Sequence, residues 1–330
     1  MTRPGTQRGI ALLTAMLVMA LCAVAATAVL TSAMAGIRRA ATMIDGEKSW
    51  WYAQGLESWG LRILALDLQQ NGPIDALNED WAKPLDYLPV EQGGLRGQIE
   101  DLQGRFNLNN LGTAQPLKYQ QQFVRLFQNI QGLDPALAQN ISEAIRDWID
   151  ADQTPVGPGG AEDPDYMGLP QPYRAANQPL RSPSELLAIK GMTPDIYRRL
   201  AQYVCALPTG TARTPTRINV NTASVPVLMS LADNIDPTKI KSWDQKRRQQ
   251  PVDSAQKLQA DGTLAVLTLT RVGVLAVPAT VTADLVDVRS HFFQMQATAF
   301  IGSGRVALYS VVLRPDSGVP VIIARSLDTE

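Results

Sequence analysis

The first part of the chain combines a long apolar run with a helical hydrophobic stripe. Residues 10–36 contain no charged side chain. At 27 residues, this run exceeds the roughly 20 that an α-helix needs to cross a bilayer core. Beyond it, apolar or small residues recur at helical spacing, at Ala53, Leu56, Trp59 or Gly60, Ile63 and Leu66. The pattern predicts one continuous helix over 10–70, with 10–36 in a membrane.

The rest of the chain alternates between strand and helix patterns. Residues 71–94 are rich in Pro, Gly, Asn and Asp, which predicts a connecting loop. Apolar and polar residues alternate in two short stretches before residue 112 and in three longer ones after residue 290, which predicts strands. Residues 116–267 repeat apolar positions every three or four residues and are predicted to be mainly helical. Strands on both sides of a helical block predict a small α+β domain that carries the block as an insertion.

The helical block contains an internal repeat. The segment RFNLNNL at 105–111 is similar to RINVNTA at 217–223, and a predicted helix follows each. This self-similarity predicts two related helical units.

Composition narrows the possible chemistry. Thirty basic and 31 acidic residues give a net charge of −1, so no global field attracts nucleic acid or anionic lipid. With one histidine and two cysteines, the chain lacks the residues for zinc sites and histidine-based triads. Cys22 lies in the apolar run, where it cannot meet Cys205 to form a disulfide. We therefore expect that this chain is not an enzyme.

The extreme N-terminus has two interpretations. Residues 1–9 include Arg3 and Arg8 and end in Gly9, directly before the apolar run at Ile10. A short basic stretch that ends in glycine is typical of a type IV prepilin leader, which is cut so that the apolar helix is retained. The alternative is a secretory signal peptide, cleaved after the small residues at 26–28.

Residues 147–166 form the strongest candidate site. Six carboxylates lie in this Gly- and Pro-rich stretch, which has no basic residue before Arg174: Asp147, Asp150, Asp152, Glu162, Asp163 and Asp165. Calcium suits them because it accepts six to eight flexible oxygen ligands. The EF-hand template is not matched, since Pro155 stands where glycine belongs. The alternatives are a solvated acidic loop and a catalytic carboxylate pair of the glycosidase type.

A second candidate site favours DNA. Residues 182–204 resemble a helix-hairpin-helix module, although Met192 replaces the second glycine of the hairpin. A basic cluster follows at Lys239, Lys241, Lys246, Arg247 and Arg248. The cluster is either a phosphate contact or a solvated helix face. The competing hypothesis is therefore a membrane-tethered helix-hairpin-helix DNA-binding protein.

Several motifs together carry a family resemblance. They are the leader ending in Gly9, Thr14 where pilin-like subunits have Glu, the segment GRFNLNNL, DWIDAD followed by GAED, and INVNTAS. With these features, the chain resembles the type II secretion minor pseudopilin K family, also called general secretion pathway protein K. The resemblance implies a single-pass inner-membrane protein, processed and methylated by a prepilin peptidase, with its globular region in the periplasm. It also implies a role at the pseudopilus tip in export of folded proteins, with minor pseudopilins H, I and J and the major pseudopilin as partners and no nucleic acid.

The resemblance also implies a domain plan and a ligand set. A leader at 1–9 precedes an N-terminal helix at 10–70, of which 10–36 lies in inner-membrane lipid. A pilin-like α+β domain comprises 71–111 and 276–330. The helical insert at 112–275 between its two parts has two units, at 112–210 and 217–275. Two calcium ions are expected, with Asp150, Asp152, Glu162 and Asp163 as the first ligands and Asn177 and Asp147 as further ones. Thr14 cannot cancel the N-terminal ammonium of a neighbouring subunit, so we expect poor docking beneath another subunit.

Overall fold

The structure is a computed structural model that describes residues 8–210, 213–233, 235–254, 284–316 and 319–328. Its strands are β1 (Leu85–Val90), β2 (Gly93–Asp101), β3 (Phe106–Asn107), β4 (Val204–Cys205), β5 (Ile218–Asn219), β6 (Val286–Asp287), β7 (Phe292–Ile301), β8 (Gly304–Leu313) and β9 (Val321–Leu327). Its α-helices are α1 (Arg8–Gln70), α2 (Pro116–Gln128), α3 (Ala138–Ile149), α4 (Asp163–Met167), α5 (Pro194–Leu200), α6 (Val225–Met229) and α7 (Pro237–Gln249). Short 3₁₀ helices lie at 80–82, 102–104, 108–112, 135–137, 183–188 and 201–203.

Helix α1 is the predicted continuous helix, with 63 residues. Its side chains from Ile10 to Ile44 are exposed or nearly so, and its buried face begins only where it meets the sheet. The buried stripe runs through Ala53, Leu56, Gly60 and Leu64. Trp59 is 48% exposed, because the helix turns it away from the sheet.

An antiparallel sheet in the order β1-β2-β7-β8-β9 packs against this stripe. One face of β7 and β8 contacts α1, and Phe293 packs edge-on against Trp81 with ring centroids 5.3 Å apart. Leu64, Met295 and Val312 are the other buried members of that cluster. The three strands predicted after residue 290 are present as β7, β8 and β9.

The predicted loop over 71–94 is wrong in its second half, because strand β1 lies there. The loop prediction rested on the many Pro, Gly, Asn and Asp residues of 71–94, including Pro89, which lies within the strand itself. Strand β1 is at the edge of the sheet and pairs only with β2. A proline is tolerated in an edge strand, where its missing N–H removes no ladder hydrogen bond.

The helical block surrounds its own apolar core, in which Phe106, Phe123, Phe127 and Ile145 are buried. Ser182 begins a helical segment as predicted, but that segment is the 3₁₀ helix Pro183–Ala188. The predicted helical pattern after residue 254 lies outside the described residues.

The two repeated motifs adopt the same local structure. Strand β3 pairs in parallel with β4, as β5 does with β6. The Asn109 side chain accepts from Leu180 N at 2.8 Å and donates to Leu180 O at 2.9 Å. Asn221 repeats this with Val252, at 2.9 Å in both directions. In each motif, the second asparagine donates one hydrogen bond to a distant backbone segment and accepts one from it.

The insert is attached at the end of the sheet far from the apolar half of α1. At one end, the turn between β7 and β8 touches Asp45, whose Oδ2 accepts from Ser303 N at 2.8 Å and Ser303 Oγ at 2.9 Å. At the other end, the chain leaves the sheet after Asp101 and returns at Phe292. The block therefore lies beyond the sheet, on the side away from the apolar segment.

Candidate metal site and membrane anchor

Helix α3 carries Glu143 and Asp147 one turn apart, and Asp150 follows its last residue at the start of the acidic loop. Asp147 is fully buried. Its Oδ1 accepts from Val156 N at 3.0 Å and its Oδ2 from Ala161 N at 2.7 Å. These bonds fold the Gly- and Pro-rich loop back over the end of α3, so Asp147 organises the loop.

Three of the predicted ligands converge. One carboxylate oxygen from each of Asp150, Asp152 and Glu162 lies within 4.8 Å of the others. Glu162 is 1% exposed, and neither of its carboxylate oxygens has a hydrogen-bond partner within the described part of the chain. Asp150 Oδ1 and the Asn177 side-chain oxygen are buried and lack partners in the same sense. Asn177 has a positive φ of 48°, a conformation that asparagine tolerates better than most residues.

The electrostatics of the cluster suit a divalent cation. Burial raises the pKa of Glu162 to about 7, and the charges of Asp147, Asp150, Asp152 and Asp163 add to the rise. Burial also raises the pKa of Asp150 to about 6, helped by Asp152 and Asp147. Buried oxygens without donors are costly unless something pairs with them. A hard divalent cation would pair with the converging oxygens of Asp150, Asp152 and Glu162.

The other two predicted ligands are engaged elsewhere: Asp147 accepts from the loop amides, and Asp163 Oδ1 accepts from Ala175 N at 3.0 Å. Asp165, another carboxylate of the loop, accepts from Lys190 Nζ at 2.8 Å. A direct ligand role for Asp163 and Asp147 therefore stays a prediction. The sequence did not indicate that Glu143 also holds the acidic loop, although its Oε2 accepts from Gly159 N at 2.8 Å. The available signal was its position four residues before Asp147, on the same helix face.

An aromatic cluster covers the inner side of the loop. Tyr166 meets Trp148 edge-on at 5.4 Å and stacks on Tyr173 at 5.2 Å between ring centroids. The backbone N–H of Lys190 donates to the Tyr166 hydroxyl at 3.4 Å. The lysine of the supposed DNA hairpin therefore packs on the acidic loop.

The basic cluster on α7 is partly structural as well. Arg247 is buried, and its guanidinium donates to Val220 O, Ala223 O and Asp244. Arg248 pairs with Asp244 at 3.0 Å. Arg247 and Arg248 are thus occupied within the fold, which favours the structural interpretation of the cluster.

The predicted anchor residues lie on α1. Gly9 and Ile10 are in its first turn, and the Thr14 hydroxyl donates back to Ala11 O at 3.0 Å. Within the described residues, this is the one helix apolar enough to cross a membrane, with a window mean hydropathy of 2.4. The apolar part of α1 is consistent with a single-pass membrane anchor. A long helix that packs on a small antiparallel sheet, which carries a helical insert, defines a pilin-like class of protein.

Comparison with known proteins identifies the family. The models for "Type II secretion system (T2SS), protein K" match residues 104–209 and 218–277. Type II secretion system protein K of Pseudomonas aeruginosa is 33% identical, over 97% of this chain and 93% of the relative. The Aeromonas hydrophila protein of that name is 32% identical, over 97% and 96%. The chain belongs to the type II secretion system protein K family, as the resemblance predicted.

A solved structure agrees on the fold. A chain in the crystal structure of the GspK-GspI-GspJ complex from enterotoxigenic Escherichia coli superposes with a TM-score of 0.72 at 24% identity, covering 88% of this chain and all of that chain. The predicted α+β fold with a long N-terminal helix is confirmed. The comparisons do not support the DNA-binding alternative.

Proposed function

We propose that this chain is the tip subunit of a periplasmic pseudopilus, where it initiates assembly and so supports export of folded proteins across the outer membrane. Its role is structural and not enzymatic. The observation that carries the proposal is the attachment of the helical insert between Asp101 and Phe292, at the end of the sheet away from the apolar segment. A block in that position obstructs any subunit stacked above.

The N-terminal helix supports the same position from below. Thr14 stands where a carboxylate would neutralise the N-terminal ammonium of a neighbour in the bilayer, and its hydroxyl bonds to its own helix. An unpaired cation in hydrocarbon costs several kcal/mol. A subunit without this carboxylate joins poorly beneath another, so it is placed first.

The proposed partners are the minor pseudopilins I and J, by analogy with the GspK-GspI-GspJ complex of the structural relative. Minor pseudopilin H, the major pseudopilin and a prepilin peptidase complete the set. The test is copurification of the full chain, in detergent, with each minor pseudopilin. A stoichiometric complex is expected, and failure to bind any of the minor pseudopilins would refute the proposal.

A matched pair of variants tests the role of Thr14. Thr14→Glu supplies the carboxylate and should lower filament initiation while allowing incorporation along the filament. Thr14→Val removes only the back-bonded hydroxyl and should behave as wild type, like Thr27→Val, since Thr27 donates to Ala23 O in the same way. Equal filament counts for Thr14→Glu and Thr14→Val would contradict the proposed selection.

The proposed location is the bacterial inner membrane, in a single pass, with the globular region in the periplasm and the leader at 1–9 removed. Mass spectrometry of the mature protein tests this processing. A methylated Ile10 at the N-terminus is expected, whereas a start after Ala28 would mean a secreted soluble protein.

Calcium is the proposed ion of the acidic loop. The buried, unpartnered oxygens of Asp150, Glu162 and Asn177 favour these three side chains as ligands, and Asp152 joins them because its carboxylate oxygen lies within 4.8 Å of those of Asp150 and Glu162. The bound cation would cancel carboxylate repulsion and hold the loop. Chelation should lower the melting temperature, and the double variant Asp150→Ala/Glu162→Ala should lose that response. A melting curve indifferent to calcium and chelator would contradict the proposal.

A further inference from the structure

A pocket lies between the helical insert and the sheet, on the face of the sheet opposite α1. Side chains alternate between the two faces along β7 and β8. Phe293 and Val312 pack toward α1, so Gln294 and Val311 point the other way. There they meet Leu207 of the insert, and the residues around them enclose a volume of about 230 Å³. We call this space the interdomain pocket.

The floor of the interdomain pocket is apolar. Leu102, Cys205 and Leu207 form a small buried cluster there, and Val311 packs against it. The Cys205 thiol donates to Leu102 O at 3.3 Å, so its hydrogen bond is made within the fold. The floor therefore suits an aliphatic group, which would gain from leaving water.

The rim of the pocket is basic. Its arginines are Arg105, Arg181 and Arg325, and no Asp or Glu is among the described residues that line it. Arg105 pairs with Glu100 at 2.5 Å, and Arg325 pairs with Glu57 at 2.5 Å. The Arg181 side chain is exposed and forms no ion pair within the described part of the chain. Among these residues, Arg181 therefore carries the uncompensated charge.

The local fold holds Arg181 at the rim through its backbone. Glu185 Oε1 accepts from the backbone N–H of Arg181 at 2.7 Å and from that of Ser182 at 3.2 Å. These bonds close the capping box of the 3₁₀ helix Pro183–Ala188. The guanidinium of Arg181 is thus left available while its main chain is fixed.

Volume and charge together define what the pocket can bind. Sites for drug-sized molecules measure about 300–1,000 Å³, so this smaller pocket suits one aliphatic side chain and one small anionic group. One uncompensated guanidinium matches one carboxylate, which it binds through two parallel N–H donors. The terminal residue of a peptide carries its carboxylate and its side chain on the same Cα, and so presents both groups together.

The position of the pocket favours a peptide over a lipid. Strand β9 is at the edge of the sheet, and its residues Ala324 and Ser326 border the pocket. An extended peptide can lie beside such an edge strand. Leu102 follows the last residue of β2, so the pocket is at the end of the sheet where the insert is attached. The acyl chains of a bilayer around the apolar segment of α1 do not reach that end.

We propose that the interdomain pocket binds the carboxyl terminus of a peptide that ends in an aliphatic residue. The Arg181 guanidinium binds the terminal carboxylate, and the floor around Leu207 takes the terminal side chain. Because the pocket is formed by both the insert and the sheet, a protein with such a terminus would contact the two domains at once.

Ligand-observed NMR titration of the full chain in detergent, against a detergent-only reference, tests the proposal. The probe is N-acetyl-leucine, which has the carboxylate, the aliphatic side chain and one peptide-like amide. It should bind at least about tenfold more tightly than N-acetyl-leucinamide, which lacks the charge, and than N-acetylglycine, which lacks the side chain. Octanoate represents the lipid source and should bind less tightly than N-acetyl-leucine.

Two surface variants locate the binding. Arg181→Gln should weaken binding of N-acetyl-leucine about tenfold and leave binding of N-acetyl-leucinamide unchanged. Arg305→Gln is the matched control, because Arg305 is an exposed arginine of β8 that does not line the pocket. This control should bind N-acetyl-leucine as wild type does.

Four results would overturn the proposal. Wild-type protein that does not bind N-acetyl-leucine, or binds it no better than its amide, would do so without any variant. Arg181→Gln with wild-type affinity would remove the assigned role of this arginine. Octanoate binding more tightly than N-acetyl-leucine would assign the pocket to a fatty-acid anion instead. The titration uses the chain without partner subunits, so its failure leaves the proposed tip position untouched.

Discussion

Gly160 offers a sharp test of the loop that carries the proposed calcium site. A Cβ at this position would lie 2.4 Å from Asp147 Oδ2, 2.7 Å from Val156 N and 3.0 Å from Val156 O. Contacts below 3.0 Å are not tolerated, and Val156 contributes backbone that cannot rotate away. Gly160→Ala must therefore displace the Asp147 carboxylate or open the loop.

The cost follows from two contributions. Overpacking a tight site costs about 1–3 kcal/mol. Displacing Asp147 also leaves the buried amides of Val156 and Ala161 without their acceptor, at about 1–3 kcal/mol each. Partial relaxation makes these contributions overlap, so we expect about 3–5 kcal/mol in total, which lowers the melting temperature by about 6–15 °C.

Differential scanning calorimetry of the full chain, with calcium and with chelator, is the assay. Gly168→Ala is the matched control, because a Cβ there meets nothing closer than Pro164 O at 3.6 Å. Gly160→Ala should melt lower and lose its response to calcium, while Gly168→Ala keeps both properties. Equal melting temperatures for the two variants would refute the role given to the Asp147 bonds.

Three further predictions concern other buried charges. Glu57→Ala should lower the free energy of unfolding by about 2–3 kcal/mol and speed amide hydrogen exchange in β9, because the Glu57 carboxylate accepts from Arg325 at 2.9 and 2.5 Å. The loss is smaller than for a fully buried ion pair, since Arg325 is half-exposed. Unchanged hydrogen exchange in β9 would contradict this pairing. Arg247→Ala should cost about 3–5 kcal/mol in chemical denaturation by leaving Asp244 buried with a weakened partner, and a loss below 1 kcal/mol would refute it. Since the pKa of Glu162 is raised to about 7, the protein in chelator should lose stability as pH rises from about 4.5 to 7. Added calcium should reverse this loss. A melting temperature in chelator that does not change over this pH range would argue against the prediction.

Local pattern predicted the elements whose own residues show a clear helical or alternating periodicity. The helix over 10–70 and strands β7 to β9 follow from periodicity and length, and the repeat around Asn107 and Asn219 follows from sequence identity. Strand β1 was missed because its pairing depends on β2, which no local signal in 85–90 records.

The acidic loop shows the same limit at the level of single residues. Charge and spacing found Asp150, Asp152 and Glu162, which the fold brings together. They did not separate Asp147, whose oxygens face backbone amides, from Asn177, whose oxygen is buried without a partner. That distinction depends on how a loop closes over a helix end. The buried contacts of Asp75 with Ser290 and Arg314 join residues more than 200 positions apart along the chain, which no local pattern indicates.

The grip of the β7–β8 turn on Asp45 has a mechanical consequence. Eight exposed residues, 37–44, separate the uncharged run from this contact, which at 1.5 Å per residue is a spacer of about 12 Å. Because α1 continues unbroken from that spacer along the sheet, no flexible linker separates the apolar segment from the globular region within the described residues. A force applied along the axis of α1 would therefore be transmitted through the sheet to the helical insert at its other end.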